Sequence, residues 1–184
     1  MDQNKITQEK IQQLAEKAKT IKLVITDVDG VLTNGKVILD QENNEFKSFN
    51  IKDGLGFKLL LQQNITVAVI TGRQSNIVTR RMNELGITEL YQNKFDKRDT
   101  YQELKQKYKL EDNEIAYLGD DLPDLALIKL CGLGVTVADG QWYLQQHADW
   151  VTASRGGEGA FRELAELILS SQGLLPEILK GFES

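Results

Sequence analysis

The sequence predicts an α/β domain built on a parallel sheet with helices covering both faces. Three observations predict it. Four short runs, Leu23–Thr26, Ile65–Ile70, Ile115–Leu118 and Gly134–Ala138, are dominated by apolar and β-branched residues, the pattern of strands buried on both faces. Segments with helical spacing stand between them, and strands alternating with helices indicate βα units. Three of the runs stop abruptly at polar residues, and open α/β sheets gather such strand ends along one edge, where their sites lie.

In chain order, residues 4–19 carry Ile6, Ile11, Leu14, Ala15 and Ala18 on one helical stripe, which predicts an amphipathic helix packed on the domain or on a neighbouring subunit. The opening strand follows at about 21–26. Lys36–Leu39 and Glu45–Asn50 are β-like runs on either side of the turn formers Asp40–Asn44, so a hairpin follows the first strand directly. A hairpin there can rim a site but is too small to be a lid domain. Asn50–Gly54 closes it, and Leu55–Gln63 reads as a helix. After the strand at 65–70, Ser75 is a candidate N-cap for a helix that Gly86 ends. Leu90-Tyr91 is a short strand and Lys97–Lys107 a helix. Beyond the strand at 115–118, Leu122–Leu130 is helical, with Pro123 tolerated in its first turn. The strand at 134–138, a short helix at 141–146 and a last strand at Trp150-Val151 follow. The loop Arg155–Gly159 opens a helix over about 160–171, Gly173 stops it, and Leu174–Lys180 is a short apolar tail.

A length of 184 residues fits one domain, with the hairpin at about 35–50 as a cap and about 174–184 as a tail. The net charge of −5 and the lack of a basic stripe argue against nucleic-acid partners. No apolar run approaches the roughly 18 residues of a membrane span. The polar start Met1–Lys5 has no signal-peptide core, and the single cysteine, Cys131, fits a reducing cytoplasm and reads as packing. His147, the one histidine, lies away from every motif.

Chemistry concentrates at three strand ends: Asp27-Val28-Asp29-Gly30, Thr71-Gly72-Arg73 and Gly119-Asp120-Asp121. Residues i and i+2 of a strand share a face, so Asp27 and Asp29 can converge. Paired carboxylates repel unless a proton or cation lies between them, and Mg²⁺ is the simplest resident. Alone, an Asp-x-Asp-Gly is equally turn chemistry, and Asp120-Asp121 is equally a helix-capping pair. Together with Lys97 just ahead of a helix, the set matches phosphoryl transfer, in which catalysis is positioning and charge stabilisation. Asp27 is the expected nucleophile. Asp29 is the expected acid and then base. Thr71 and backbone N–H groups are expected on phosphate oxygens, and Lys97 neutralises charge. Asp120, Asp27 and the Asp29 backbone carbonyl are expected to hold the metal.

These residues, with Leu122-Pro123-Asp124, resemble the four motifs of the haloacid dehalogenase superfamily phosphatases over roughly residues 18–180. The hairpin, Lys52-Asp53-Gly54, Ile70–Arg73 and Gly156–Glu163 resemble the branch that hydrolyses 3-deoxy-D-manno-octulosonate (KDO) 8-phosphate in bacterial lipopolysaccharide synthesis. The resemblance implies a Rossmann-like core, Mg²⁺ dependence and a homotetramer whose subunits help to close each other's sites. It implies substrate contacts from Asn50, Ile51, Lys52, Asp53, Gly54 and Lys58, from Asp29, Thr71, Gly72 and Lys97, and from Arg73 and Arg81, whose guanidinium forks suit an acidic sugar. Lys52 and Lys58 stand where relatives often carry arginine, which loses the bidentate geometry. Asp124 is expected to orient Lys97, with Asp121 in support, and the tail to reach a neighbour's site. A nine-carbon sialic-acid-type 9-phosphate, such as KDN 9-phosphate, is the alternative substrate. A non-catalytic relative is disfavoured because Asp27, Asp29, Lys97 and Asp120 are all present. A signalling receiver domain would need neither the acid at Asp29 nor the hairpin.

Overall fold

The computed structural model describes residues 3–42 and 44–183, and the side chains from Glu9 onward are used below. Met1, Asp2, the side chain of Ile6, Asn43 of the hairpin turn and Ser184 of the tail lie outside the described residues. The elements run α1 (Gln3–Lys19), β1 (Leu23–Thr26), β2 (Ile38–Leu39), β3 (Glu45–Phe46), α2 (Ile51–Gln62), β4 (Thr66–Ile70), α3 (Asn76–Leu85), β5 (Glu89–Tyr91), α4 (Arg98–Tyr108), β6 (Ile115–Gly119), α5 (Leu125–Leu130), β7 (Leu133–Thr136), α6 (Trp142–Gln145), β8 (Trp150–Val151), α7 (Ala160–Ser171) and α8 (Leu175–Glu183).

Six strands form one sheet in the order β5-β4-β1-β6-β7-β8, and every pairing in it is parallel. The α/β fold expected from the sequence is therefore present. β1 is central, with Thr26 beside Val69 on one side and Leu118 on the other. Its four residues are all buried, because apolar layers cover both faces. One layer includes Val24, Val67, Phe57, Val78 and Phe161. The other includes Leu23, Ile25, Tyr101, Tyr117 and Leu127. The hairpin β2–β3 is a separate antiparallel pair, inserted between β1 and α2 as expected but with only two residues per strand.

Four expectations need correction. First, α2 begins at Ile51, four residues before Leu55: Asn50 is its N-cap and accepts a hydrogen bond from the Lys52 N–H at 2.9 Å. Gly54 and Gly56 argue locally against a helix, but α2 packs tightly on α7, where the Phe57 and Phe161 rings stack with centroids 3.9 Å apart. A Cβ on Gly56 would lie 3.2 Å from the Arg162 Cα, so the missing side chain lets the helices approach. Second, the tail is the helix α8, whose Leu175 and Ile178, with Leu174 before it, pack on the chain's own core. Third, the stripe of α1 is only partly used: Ala18 is fully buried, but Ile11 is exposed. Fourth, the segment expected to start a helix at Leu122 is a 3-10 turn, Leu122–Asp124, with α5 following it.

Candidate active site

β1, β4 and β6 are neighbours and parallel, so Asp27, Thr71 and Asp120 leave the sheet at one edge. Asp27 is still held on the ladder, its N–H donating to the Leu118 carbonyl at 3.0 Å. The chain then turns at Gly30, whose φ of +92° suits glycine. A Cβ on Gly30 would overlap the Asp120 carboxylate, so glycine here also lets the two strand ends crowd together.

Lys97 lies immediately before α4 and is 1% exposed. Its Nζ meets Asp27 Oδ2 at 2.9 Å and donates to Asp124 Oδ1 at 2.6 Å and the Tyr117 hydroxyl at 3.1 Å. A buried ammonium is tolerable only when so paired. Burial works to lower its pKa, but the Asp124 and Asp27 carboxylates prevail and raise it, so Lys97 is a permanent cation.

Asp124 is saturated by protein groups. Its Oδ1 also accepts from the Tyr117 hydroxyl at 2.5 Å, and its Oδ2 accepts from the N–H groups of Asp120 and Asp121 at 2.9 and 3.2 Å. It orients Lys97 and ties down the Asp120 loop. Asp121 caps the 3-10 turn, accepting from the Leu122 N–H at 2.7 Å and from the Tyr143 hydroxyl.

Asp27 and Asp120 are left with too much negative charge. Burial, opposed by Lys97 and reinforced by Asp124, pushes Asp27 up to about 6. Burial and then the charges of Asp124, Asp27 and Asp121 push Asp120 up to about 8. Carboxylate oxygens of Asp27, Asp120 and Asp124 lie within 4.8 Å of one another. With Asp124 committed to Lys97, Asp27 and Asp120 are the pair that fits a hard divalent cation.

Asp29 does not share this cluster through its side chain. Its Oδ1 is ion-paired with Lys47, just past β3, and its Oδ2 is buried without a hydrogen-bond partner among the described residues. Glu45 continues the chain of charges, 3.5 Å from Lys47 Nζ and 2.6 Å from the Arg73 guanidinium. It also accepts from Ser75 Oγ at 3.2 Å. Ser75 flanks α3 as expected, but its side chain makes no cap hydrogen bond and braces the hairpin instead.

Thr71 is buried at the end of β4, and Gly72 abuts Phe95. Asn50 donates to the Gly157 carbonyl at 3.3 Å. Asp53 is buried and accepts from the Arg162 N–H at the start of α7 at 2.9 Å. Ile51, Lys52 and Lys58 are exposed on α2. Arg81 lies against Gly54 with its guanidinium 6.0 Å from the Phe49 ring centre. Arg81, Asn50 and Gly54 line a cavity of about 10 Å³, room for roughly one water. Cys131 is buried, and burial pushes its thiol up to about 12, which suits packing. His147 is exposed. Among the described residues no helix is long and apolar enough to cross a membrane.

Sequence reasoning missed Lys47, Glu45 and Tyr117. The first two had a signal: Glu45, Lys47 and Phe49 alternate with Phe46 and Ser48, which puts the first three on one face of an extended segment.

Comparison with known proteins places this geometry. The pattern of the haloacid dehalogenase-like hydrolases matches residues 75–164. The chain is 43% identical over 161 residues to the 3-deoxy-D-manno-octulosonate 8-phosphate phosphatase of Escherichia coli, covering 88% of this chain and 86% of that protein. Its fold superposes on a haloacid dehalogenase superfamily (subfamily III A) hydrolase from Legionella pneumophila with a TM-score of 0.93 at 48% identity, covering 96% and 97% of the two chains. It superposes with a TM-score of 0.91 at 41% identity on the Moraxella catarrhalis 3-deoxy-D-manno-octulosonate 8-phosphate phosphatase in complex with magnesium, phosphate and KDO, covering 93% and 98%. With its acidic strand ends and buried lysine in that fold, the chain belongs to the haloacid dehalogenase-like hydrolase family.

Proposed function

We propose that this protein is a Mg²⁺-dependent phosphatase that hydrolyses KDO 8-phosphate to KDO and inorganic phosphate, in the cytoplasm, as a step toward lipopolysaccharide. The observation that carries the proposal is the buried Lys97 joined to Asp27 beside Asp120. The 43% identity to enzymes of that name supports the substrate. The proposed unit is a single domain, hairpin cap included, assembled as a homotetramer.

Asp27 attacks phosphorus, and the P–O bond to the sugar breaks. Asp29 gives its proton to the leaving alkoxide, then takes one from the water that hydrolyses the aspartyl-phosphate. Lys97 offsets charge on Asp27 and the phosphoryl oxygens, and Thr71 with nearby N–H groups orients them. Asp27, Asp120 and the Asp29 carbonyl would hold Mg²⁺, which supplies positive charge to the phosphoryl group. Arg73, Arg81 and the Asn50–Gly54 and Lys58 face of α2 would receive the acidic sugar once a neighbouring subunit and its tail complete the site.

Phosphate release from KDO 8-phosphate and KDN 9-phosphate, with Mg²⁺ and with chelator, tests the reading. A higher kcat/KM on the eight-carbon substrate that vanishes with chelator is expected. Preference for the nine-carbon substrate would replace the substrate assignment, and activity unaffected by chelator would sink the metal. Asp27→Asn is expected to lower turnover more than about 10³-fold with the fold intact by circular dichroism.

A further inference from the structure

We propose that Lys47 is the positioning residue of Asp29, so that the hairpin cap sets the general acid as well as rimming the site. This rests on the reading of Asp29 as that acid.

The hairpin has almost nothing to bury. Its strands are two residues long, and Val37, Ile38, Leu39 and Phe46 are each at least half exposed. Against that background, the Lys47 side chain is 3% exposed. Burying an ammonium is costly unless a carboxylate meets it, and the partner is Asp29, eighteen residues earlier in the chain. Glu45 stands on the other side of Nζ at 3.5 Å and is itself anchored by Arg73 and Ser75 beyond β4. The row Asp29–Lys47–Glu45–Arg73 therefore crosses from the end of β1, through the hairpin, to the end of β4.

Its effect on Asp29 is specific. Asp29 follows the strand and precedes the Gly30 turn, so its backbone alone leaves the side chain free to rotate. Lys47 engages Oδ1 only, and Oδ2 has no hydrogen-bond partner among the described residues. A compact ammonium holds one oxygen and leaves the other for proton transfer, where a guanidinium fork would take both. The same contact turns Asp29 away from the Asp27–Asp120 cluster and keeps acid and nucleophile as separate groups.

A residue acting through the general acid matters in proportion to how much the leaving group needs a proton. The test compares wild type, Lys47→Met, Asp29→Asn and the double variant, all with Mg²⁺, in single turnovers that read release of KDO from KDO 8-phosphate and of nitrophenolate from p-nitrophenyl phosphate, ahead of the water-activating step that the two substrates share. The alkoxide of the first needs protonation; the nitrophenolate of the second does not. Lys47→Met is expected to lower that release rate about a hundredfold on the sugar phosphate and no more than about threefold on the aryl phosphate. In the Asp29→Asn background, Lys47→Met is expected to add no further loss, since the two act as a unit. Equal losses on both substrates, or additive losses in the double variant, would reduce Lys47 to a structural brace and overturn the proposal. Where Lys47→Met fails to fold, Glu45→Gln, which slackens the same row from its outer end, is expected to show the same substrate selectivity in weaker form, and equal losses there overturn it too. Wild type inactive on both substrates, or Asp29→Asn showing no such selectivity, would instead refute the underlying assignment of Asp29.

Discussion

Asp120 is half-buried and Asp53 buried, and both carboxylates are held above the ordinary range, for different reasons. Asp120 is raised by burial and then by other carboxylates, so a divalent cation relieves it. Mg²⁺ is therefore expected to raise the melting temperature in proportion to the logarithm of its concentration once above Kd. Asp120→Asn is expected to abolish that rise, measured by differential scanning fluorimetry; an undiminished rise would move the metal elsewhere. Asp53 is pushed up to about 6 by burial, which outweighs the N–H groups of Arg162, Phe161 and Gly159 that favour its anion. Its ordinary value is 3.8, so between about 4 and 6 the folded state keeps a proton that the unfolded chain releases. Stability from this group is present below that window and declines as pH rises through it. Asp53→Asn keeps an oxygen for the Arg162 N–H and cannot ionise. The wild-type advantage over Asp53→Asn is expected to shrink between pH 4 and pH 7 in urea titrations without divalent cation. Parallel curves would show that Asp53 does not titrate there.

At the scale of elements, what was legible depended on whether local signals and packing agreed. The strand at Leu23–Thr26, the cap region of α3 and its stop at Gly86 could be read because apolar run, Ser75 and a left-handed glycine all point one way. That Asp27, Lys97, Asp120 and Asp124 come together could be read because each sits at the end of an identifiable element. The start of α2 could not, because Gly54 and Gly56 disfavour a helix locally, and only the approach of α7 explains them. The hairpin itself could be read, but not its contacts: its inward face carries Glu45 and Lys47 while Phe46 faces out, the reverse of ordinary patterning. The α2–α7 contact gives the test at this scale. Gly56→Val is expected to cost about 1–3 kcal/mol by overpacking, since its Cβ would meet the Arg162 Cα at 3.2 Å and the Ala165 Cβ at 3.4 Å. A lowered urea midpoint with an unchanged slope checks it, and an unchanged midpoint would mean the helices yield.

For the whole molecule, the question is what covers the outer face of the hairpin. Ile38 and Phe46, paired across the hairpin, are 50% and 53% exposed, with Val37 and Leu39 exposed beside them, and apolar surface of this kind marks an interaction site more often than an idle one. Leu179 and Phe182 on α8 are exposed as well, beyond the Leu174, Leu175 and Ile178 that hold the tail to its own core. The small cavity at Arg81 has room for about one water, so it does not by itself hold a sugar acid. In the proposed homotetramer, assembly through the hairpin faces would cover this surface and help to close the site. Multi-angle light scattering of the wild type is expected to give the mass of a tetramer, and Ile38→Glu with Phe46→Glu the mass of a monomer. That variant is expected to lose kcat/KM on KDO 8-phosphate far more than on p-nitrophenyl phosphate, because Asp27, Lys97 and Asp120 stay assembled within each chain. A monomeric wild type with full activity on the sugar phosphate would show that one chain closes its own site, and the exposed apolar face would then need another partner.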